Sequence, residues 1–458
     1  MEKEEIELKI GDRFPLTIKK IGINGEGVGY FKRKTTFVAG AITGEEIVCE
    51  VKDIHDKYIV GKLHKIRKKS PNRNDEFKEL ADKVGGLELA HIKYSEQLKV
   101  KKNILEQALE RFTPAGWHRY IIKDTIGMQT PLHYRNKAQF QVRKINDKVI
   151  AGLYQHGTHD VVDLPEMPTQ SSMTLVIINK LKSIIEDLDI PIYNPDEKSG
   201  IIKTLVVRES MSFKNAQLTI ITNSQKLPRK RELIERINQE IPEIISISQN
   251  VNKGETTLVW GEDTTLLWGE KYLQETINGL TFNLSPRAFL QLNIEQTKKM
   301  YNIALDYLDA DKNSVLYDAY AGVGTIGLSL AKNVKMVYGS EIIPEAIADA
   351  KINAEQNNIT NADYRVDTAV HIYDDLIDEG VDINTLIVDP PRTGLEDDLL
   401  DAIVDMAPEK FVYISCNPST LAKDLRELSK TYIVEDLQPI DMFPQTPHVE
   451  TVVKLKRK

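Results

Sequence analysis

From Ser314 onward the chain repeats one rhythm: a short apolar run, a turn, then a stretch with helical spacing. The runs are Ser314–Tyr317, Lys335–Gly339, Thr385–Val388 and Lys410–Ser415, with helical stretches such as Pro344–Gln356 and Asp397–Ala407 between them. Strands that are apolar throughout and alternate with helices must be covered on both faces, which predicts a doubly wound parallel sheet. Right-handed crossovers then place the strands' carboxyl ends on one edge, where ligands bind. The residues that close each strand are therefore the first candidates for function.

The first strand runs into Asp318-Ala319-Tyr320-Ala321-Gly322-Val323-Gly324-Thr325, and the second ends in Gly339-Ser340-Glu341, with Glu341 19 residues past Gly322. Two glycines allow a tight turn and close backbone approach to a ligand. An acidic residue closing the second strand can accept hydrogen bonds from ribose hydroxyls. Asp318, closing the first strand, would repel a pyrophosphate. The set suits a cationic nucleoside such as S-adenosylmethionine, with its sulfonium, ammonium and ribose diol.

A later strand ends in Asp389-Pro390-Pro391-Arg392-Thr393-Gly394, a stiff turn with few backbone donors. Methyltransferases acting on ring amino groups use a similar turn with an aromatic residue after the prolines; Arg392 stands there here. The next strand delivers Cys416, followed by Asn417-Pro418-Ser419-Thr420 and a helix starting near Leu421. A lone cysteine is often a small buried hydrophobe. This one closes a strand at the ligand edge, and the helix N-terminus beside it is expected to lower the thiol's pKa toward the reactive thiolate. A thiolate that adds to carbon 6 of a pyrimidine makes carbon 5 nucleophilic enough to accept a methyl group. A base must then remove the carbon 5 proton. The tail Asp441-Met442-Phe443-Pro444-Gln445-Thr446-Pro447-His448-Val449-Glu450 offers Glu450 and His448, ahead of a final strand, Val449–Leu455.

The rest of the chain reads differently. Five short alternating runs, Arg13–Ile21, Gly27–Phe31, Thr36–Ala39, Glu46–Asp53 and Tyr58–Ile66, suggest a small oligonucleotide-binding type of barrel, with Tyr30 and Phe31 beside Lys32-Arg33-Lys34. Val51 to Arg73 carries a net charge of +6 in a chain of net charge -8, which suits a basic docking surface on an acidic body. A helix is expected over Tyr94–Phe112, and residues 125–280 mix strands with helices near Leu175–Leu188 and Lys230–Ile237 in an α+β pattern. The acidic start MEKEEIELKI is not a secretory signal, no run of apolar residues is long enough to span a membrane, and two cysteines make no disulfide framework. A cytoplasmic protein without a membrane partner is expected; nothing marks an obligate protein partner.

These motifs together resemble the RNA 5-methyluridine (uracil-5-) methyltransferases, and within them the bacterial 23S rRNA branch with an N-terminal TRAM domain. The resemblance runs nearly end to end: Tyr134-Arg135-Asn136-Lys137, Ser285-Pro286-Arg287-Ala288-Phe289-Leu290-Gln291-Leu292-Asn293, Asp389-Pro390-Pro391-Arg392, Ser415-Cys416-Asn417-Pro418 and the Asp441–Glu450 tail. It implies a multidomain chain. Residues 1–67 would form a five-stranded TRAM/OB-like β-barrel that binds RNA. Residues 68–92 with 125–280 would form a central α+β RNA-binding domain, and 93–124 a helix packed on the catalytic domain. Residues 281–458 would form a Rossmann-like α/β methyltransferase domain.

It also implies residue roles: Cys416 as nucleophile and Glu450 as base, with His448 in support. Gln291, Tyr320, Gly322, Thr325, Glu341 and Asp389 would bind S-adenosylmethionine, with Asp367 a lesser candidate. Arg135 and Lys137 would lie on the substrate side, and no metal is expected. Many relatives hold an iron-sulfur cluster on four cysteines. Here Lys83-Val84-Gly85-Gly86-Leu87 and Met167 occupy the matching stretches, and Cys49 and Cys416 are the only cysteines, so no cluster is expected. The loop Asp318–Gly322 also lacks a cysteine usual in the family. The expected activity is methylation of carbon 5 of uridine in RNA, with 23S rRNA as substrate. A tRNA substrate, a cytosine target and a non-catalytic RNA-binding assembly factor are the alternatives; the Asp389 turn lacks the second cysteine of cytosine enzymes.

Overall fold

A computed structural model of the chain describes residues 8–254 and 258–458. The first seven residues, which open both the acidic start and the 1–67 segment, lie outside the described residues.

β1 (Arg13–Ile21), β2 (Gly27–Phe31), β3 (Lys34–Val38), β4 (Glu46–Ile54) and β5 (Tyr58–Lys68) close into a barrel in the order β1-β2-β3-β5-β4. Alternation in β1 turns Phe14, Leu16 and Ile18 inward, where they meet Val38, Ile47, Val51 and Ile59. Cys49 belongs to this core. A Cβ at Gly61 would stand 2.2 Å from its Sγ, so the facing strand can pass only because residue 61 has no side chain. Burial, then the Glu50 charge, pushes the Cys49 thiol up to about 11, as befits a packing residue.

The linker that leaves the barrel returns Arg73 to it. Arg73 Nε and Nη2 donate to the two Glu45 carboxylate oxygens, each at 2.6 Å, with both side chains buried. α1 (Lys78–Ala81) follows, then α2 (Tyr94–Phe112), which places Leu105, Ala108 and Leu109 in the core of the C-terminal sheet, and β6 (Ile121–Ile122).

The middle of the chain is a seven-stranded sheet, β13-β12-β11-β10-β7-β8-β9. Its strands are β7 (Lys137–Ile145), β8 (Lys148–Tyr154), β9 (Val161–Asp163), β10 (Ile202–Glu209), β11 (Ala216–Thr222), β12 (Ile244–Val251) and β13 (Asp263–Gly269). α3 (Ser172–Asp187) and α4 (Lys230–Glu240) contribute to its core; Val84, Leu87 and Met167 are buried in the same cluster. The sequence pattern predicts four of these strands, as Ala138–Arg143, Thr204–Arg208, Gln217–Thr222 and Ile244–Asn250, and β8, β9 and β13 are additions to them. β9 is three residues long, and β13 is mostly exposed, so neither shows a clean apolar alternation. The hairpin of β14 (Leu273–Ile277) and β15 (Leu280–Leu284) leads on to α5 (Ile294–Leu308).

The C-terminal sheet has the order β18-β17-β16-β19-β20-β22-β21-β6. Its further elements are β16 (Val315–Ala319), α6 (Thr325–Leu330), β17 (Met336–Glu341), α7 (Pro344–Gln356), β18 (Ala362–Val366) and α8 (Ala369–Asp378). They continue with β19 (Thr385–Val388), α9 (Asp397–Met406), β20 (Lys410–Ser415), α10 (Pro418–Leu428), β21 (Tyr432–Ile440) and β22 (Glu450–Arg457). β16 to β20 are parallel, and the order reverses between β16 and β19, where a ligand crevice opens. The sheet departs from the expected parallel form at one edge: β22 runs antiparallel between β20 and β21, and α2 packs on α10 beside it. β21 ends at the ligand edge, with Ile440 opposite Glu450, so the Asp441–Val449 segment loops along that edge and β22 starts there. Among the described residues no helix is long and apolar enough to cross a membrane.

Candidate active site

The antiparallel insertion assembles the chemical end of the crevice. Ser415, the last residue of β20, pairs with Thr451, the second of β22. The next step of that register sets Cys416 opposite Glu450. β19, on the other side of β20, ends one residue before Asp389. Three strand ends thus bring Cys416, Glu450 and Asp389 to one place, although Cys416 and Glu450 are 34 residues apart in sequence.

Asn417 caps α10, its side chain accepting from Ser419 N at 3.0 Å, and its Nδ2 donates to the Arg392 carbonyl at 2.9 Å. Thr420 Oγ1 donates to the same carbonyl at 3.3 Å. The Asp389–Arg392 turn and the cysteine turn are therefore one rigid unit.

The electrostatics correct one expectation. Burial, followed by the Glu450 and Asp389 charges, pushes the half-buried Cys416 thiol up to about 12 instead of lowering it; Arg392 pulls the other way. The helix amide that was to favour the thiolate is taken by the Asn417 cap, while two carboxylates stand on the other side. Burial, then Asp389, pushes Glu450 up to about 8, with Arg392 and Lys101 opposing. Glu450 Oε2 is buried with no hydrogen-bond partner. Burial alone raises Asp389 to about 7. His448 is driven down to about 4 by burial and Arg392, and its ring stands edge-on to Phe443 at 6.3 Å.

The cofactor candidates line the neighbouring edge. Tyr320 has a φ of 66°, which turns the chain sharply out of β16, and Gly322 (φ 56°) has open space where a side chain would be. Asp318 is not a ligand-facing group: it is buried and accepts Gly327 N at 2.8 Å, holding the loop against α6. The Thr325 hydroxyl is engaged with Tyr301 at 2.9 Å. Glu341 is half-buried at the end of β17, and the next two residues, Ile342 and Ile343, expose apolar side chains (66% and 47%). Gln291 is buried in the loop before α5, where its carbonyl accepts from Asn136 Nδ2 at 3.4 Å. Asp367 is held below the usual carboxylate range by Thr368 N and His371.

S-adenosylmethionine fits this edge. Glu341 Oε1 accepts from Ile343 N at 3.1 Å, which leaves Oε2 for a ribose diol; exposed isoleucines adjoin it, the glycine loop is open, and Asp389 is a carboxylate with no cation attached.

The two substrate candidates part company. The Arg135 guanidinium lies over Phe443 at 5.5 Å, beside the tail that carries His448 and Glu450. Lys137 instead faces Arg208 across β7 and β10, and burial, then Arg208, lowers it to about 7. Phe289, in the Gln291 loop, is 63% exposed. Among the described residues no group of His, Cys, Asp and Glu is arranged to hold a metal ion. The sequence groups Lys101 with Lys99 and Lys102 as part of the basic docking run, but the structure buries it against the tail; the 340 residues separating it from Asp441 left no local signal of that contact.

A largely parallel sheet with this switch point, a glycine loop, an acidic second strand end and an antiparallel β22 is the frame of an S-adenosylmethionine-dependent methyltransferase, the class to which its relatives assign it. The tRNA (uracil-5-)-methyltransferase family model matches residues 261–458, and the TRAM domain model residues 7–63. A protein of Lactiplantibacillus plantarum named an uncharacterized RNA methyltransferase is 49% identical over 457 residues, covering 100% of this chain and 95% of its own. One of the same name from Enterococcus faecalis is 45% identical, covering 98% and 99%. The crystal structure of Pyrococcus abyssi tRNA (uracil-54, C5)-methyltransferase with S-adenosyl-L-homocysteine superposes with a TM-score of 0.74 at 26% identity, covering 96% of this chain and 100% of its own. The chain belongs to the tRNA (uracil-5-)-methyltransferase family of RNA methyltransferases, in a form with an N-terminal TRAM domain.

Proposed function

We propose that this protein methylates carbon 5 of a uridine in 23S rRNA through a covalent adduct on Cys416. The observation that carries the reading is the register of β20 and β22, which sets a thiol beside a buried carboxylate oxygen without a partner. Glu341, Gln291, Tyr320, Gly322 and Asp389 hold S-adenosylmethionine, with Thr325 supporting their loop. The bound group supplies a methyl on a positively charged sulfur.

Cys416 Sγ loses its proton to solvent and bonds to carbon 6, placing enolate character on carbon 5. Once carbon 5 carries the methyl group, Glu450 takes its proton, the ring double bond re-forms and the carbon–sulfur bond breaks. The target base must leave its stack to reach Cys416, and the barrel and basic linker dock the surrounding RNA. Arg135 borders the base-side opening, and Lys137 lies further along the central sheet. Catalysis takes place in the cytoplasm.

A tRNA substrate is the second reading. The observation that favours it is the likeness to Pyrococcus abyssi tRNA (uracil-54, C5)-methyltransferase, which covers 96% of this chain. Methyl incorporation from labelled S-adenosylmethionine into rRNA and tRNA transcripts decides between them. Label in 23S rRNA alone supports the proposal; label in tRNA alone replaces it with the second reading; label in neither removes both.

A further inference from the structure

Lys101 belongs to α2, outside the strands that carry Cys416 and Glu450, and its side chain is fully buried. Its ammonium donates to an Asp441 carboxylate oxygen, to the Phe443 carbonyl at 3.0 Å and to the His448 carbonyl at 2.6 Å. An ammonium has three donors, and all three are spent on the one segment that leads into Glu450. Tyr94, one helical face along, donates to the other Asp441 oxygen at 2.7 Å. Gln97 Nε2 donates to Gln445 Oε1 at 2.9 Å, and Gln445 N donates back to Gln97 Oε1 at 3.1 Å. Gln445 has a φ of 72°, a left-handed backbone that a non-glycine residue keeps only when its surroundings hold it. Val449, next to the base, packs with Val100 and Ile104 of α2 and with Ile21 and Ile42 of the barrel region.

A lysine with no exposed surface is costly to bury unless its charge is matched and its donors are used. Neutral side chains hold other points of the segment: Asn293 Nδ2 donates to the Met442 carbonyl at 3.0 Å, Gln296 Nε2 to the Asp441 carbonyl at 2.9 Å and Tyr134 to the Pro444 carbonyl at 3.0 Å, while Lys101 bonds both of its ends. We propose that Lys101 is a positioning residue for uridine methylation, fixing the Asp441–Val449 segment so that Glu450 faces Cys416. This rests on the reading of Glu450 as the base.

The charge has a second consequence. Glu450 is faced by Asp389, which raises its proton affinity, and by Arg392 and Lys101, which lower it; Cys416 and Tyr301 titrate beside it. Without the ammonium, Glu450 holds its proton to higher pH and is a scarcer base at neutrality.

The test uses the full chain with S-adenosylmethionine and matched RNAs containing uridine or 5-fluorouridine at the target. Lys101→Met is compared with Lys101→Met/Asp441→Asn, which removes both charges, and with Glu450→Gln. In the double variant the 5-fluorouridine adduct should still form, since it needs only Cys416 and methyl transfer. On uridine RNA the methylated covalent complex should accumulate, with release slowed on the order of 100-fold and its pH midpoint moved upward. Lys101→Arg, which keeps the charge, should restore part of the release rate. Wild-type release with an unmoved midpoint in the double variant would overturn the proposal. So would equal loss of adduct formation and release, or loss of the fold, because either makes Lys101 a structural residue only. Glu450→Gln separates the two readings: if it releases RNA normally, the base assignment itself fails, whatever the lysine variants do.

Discussion

Glu45 and Glu450 are both buried glutamates, and their surroundings are opposite. Glu45 joins the barrel to its linker. Burial pushes its proton affinity up, but two hydrogen bonds and the charge of Arg73, with the amides of Ile42 and Ser70, bring it below the usual carboxylate value. Glu450 closes the crevice with one oxygen unpartnered and no cation in contact, and its pKa rises to about 8. A fully matched carboxylate is a joint: its charge is permanent and its geometry stiff. An unmatched one stays poised to change its protonation state, which a general base must do. The buried carboxylate is matched where segments hold together and unmatched where the proposed mechanism moves a proton.

The contrast can be broken most sharply at Cys416. Cys416→Ala should lower methyl incorporation by on the order of 10^4-fold or more and abolish the 5-fluorouridine adduct, as removal of a covalent nucleophile does elsewhere. Equal label from both proteins would leave the crevice carboxylates without a chemical purpose. Glu450→Gln should lower turnover about 100-fold or more while RNA remains attached to protein in denaturing gels. Free methylated RNA at the wild-type rate would place the base elsewhere.

On the other side of the comparison, Arg73→Ala should cost about 3–5 kcal/mol in urea unfolding, because it leaves Glu45 buried and unpaired. The folded fraction should still bind S-adenosylhomocysteine normally. A loss of cofactor binding without a loss of stability would erase the distinction between joint and site. Glu341→Ala should weaken S-adenosylhomocysteine about tenfold by calorimetry, the worth of a hydrogen bond or two to the ribose.

The smallest effect is the pH dependence of stability. Asp318 and Asp389 at about 7 and Glu450 at about 8 all lie above the value of a carboxylate in an unfolded chain. The folded state therefore keeps protons that the unfolded state has lost, and this contribution is present at low pH and disappears as pH rises through about 7 to 8. Glu45 works the other way: its contribution is present above the ordinary carboxylate value and lost as pH falls. The ligand-free protein should thus unfold at lower urea at about pH 9 than at about pH 6, and Asp389→Asn should flatten the slope. An unchanged midpoint between those pH values would show that the crevice carboxylates are ordinary.

Much of this was legible before any coordinates. Arg13–Ile21, Gly27–Phe31, Tyr94–Phe112, Thr385–Val388, Pro344–Gln356 and Lys410–Ser415 occur as read, because alternation, helical spacing and apolar runs are local properties of the chain. The short and exposed strands β9 and β13 were not, since strands without a clean apolar pattern are held by their neighbours. Cys416 and Asp389 were legible at strand ends that the α/β rhythm exposes, whereas Glu450 was read from the tail beside His448 and only the family resemblance put it ahead.

What the sequence by itself determined is which side chains reach the ligand edge and which donor chemistry they favour. Only the tertiary structure decided that β22 enters antiparallel beside β20, so that Glu450 meets Cys416, and that the thiol's proton is held more tightly instead of more loosely. It also decided that a lysine from α2 bonds the segment leading to Glu450. The physical reason is that a strand's pattern depends on residues two positions apart, whereas a proton's affinity sums over every charge and every lost water around it. Those neighbours come from four elements scattered along the chain.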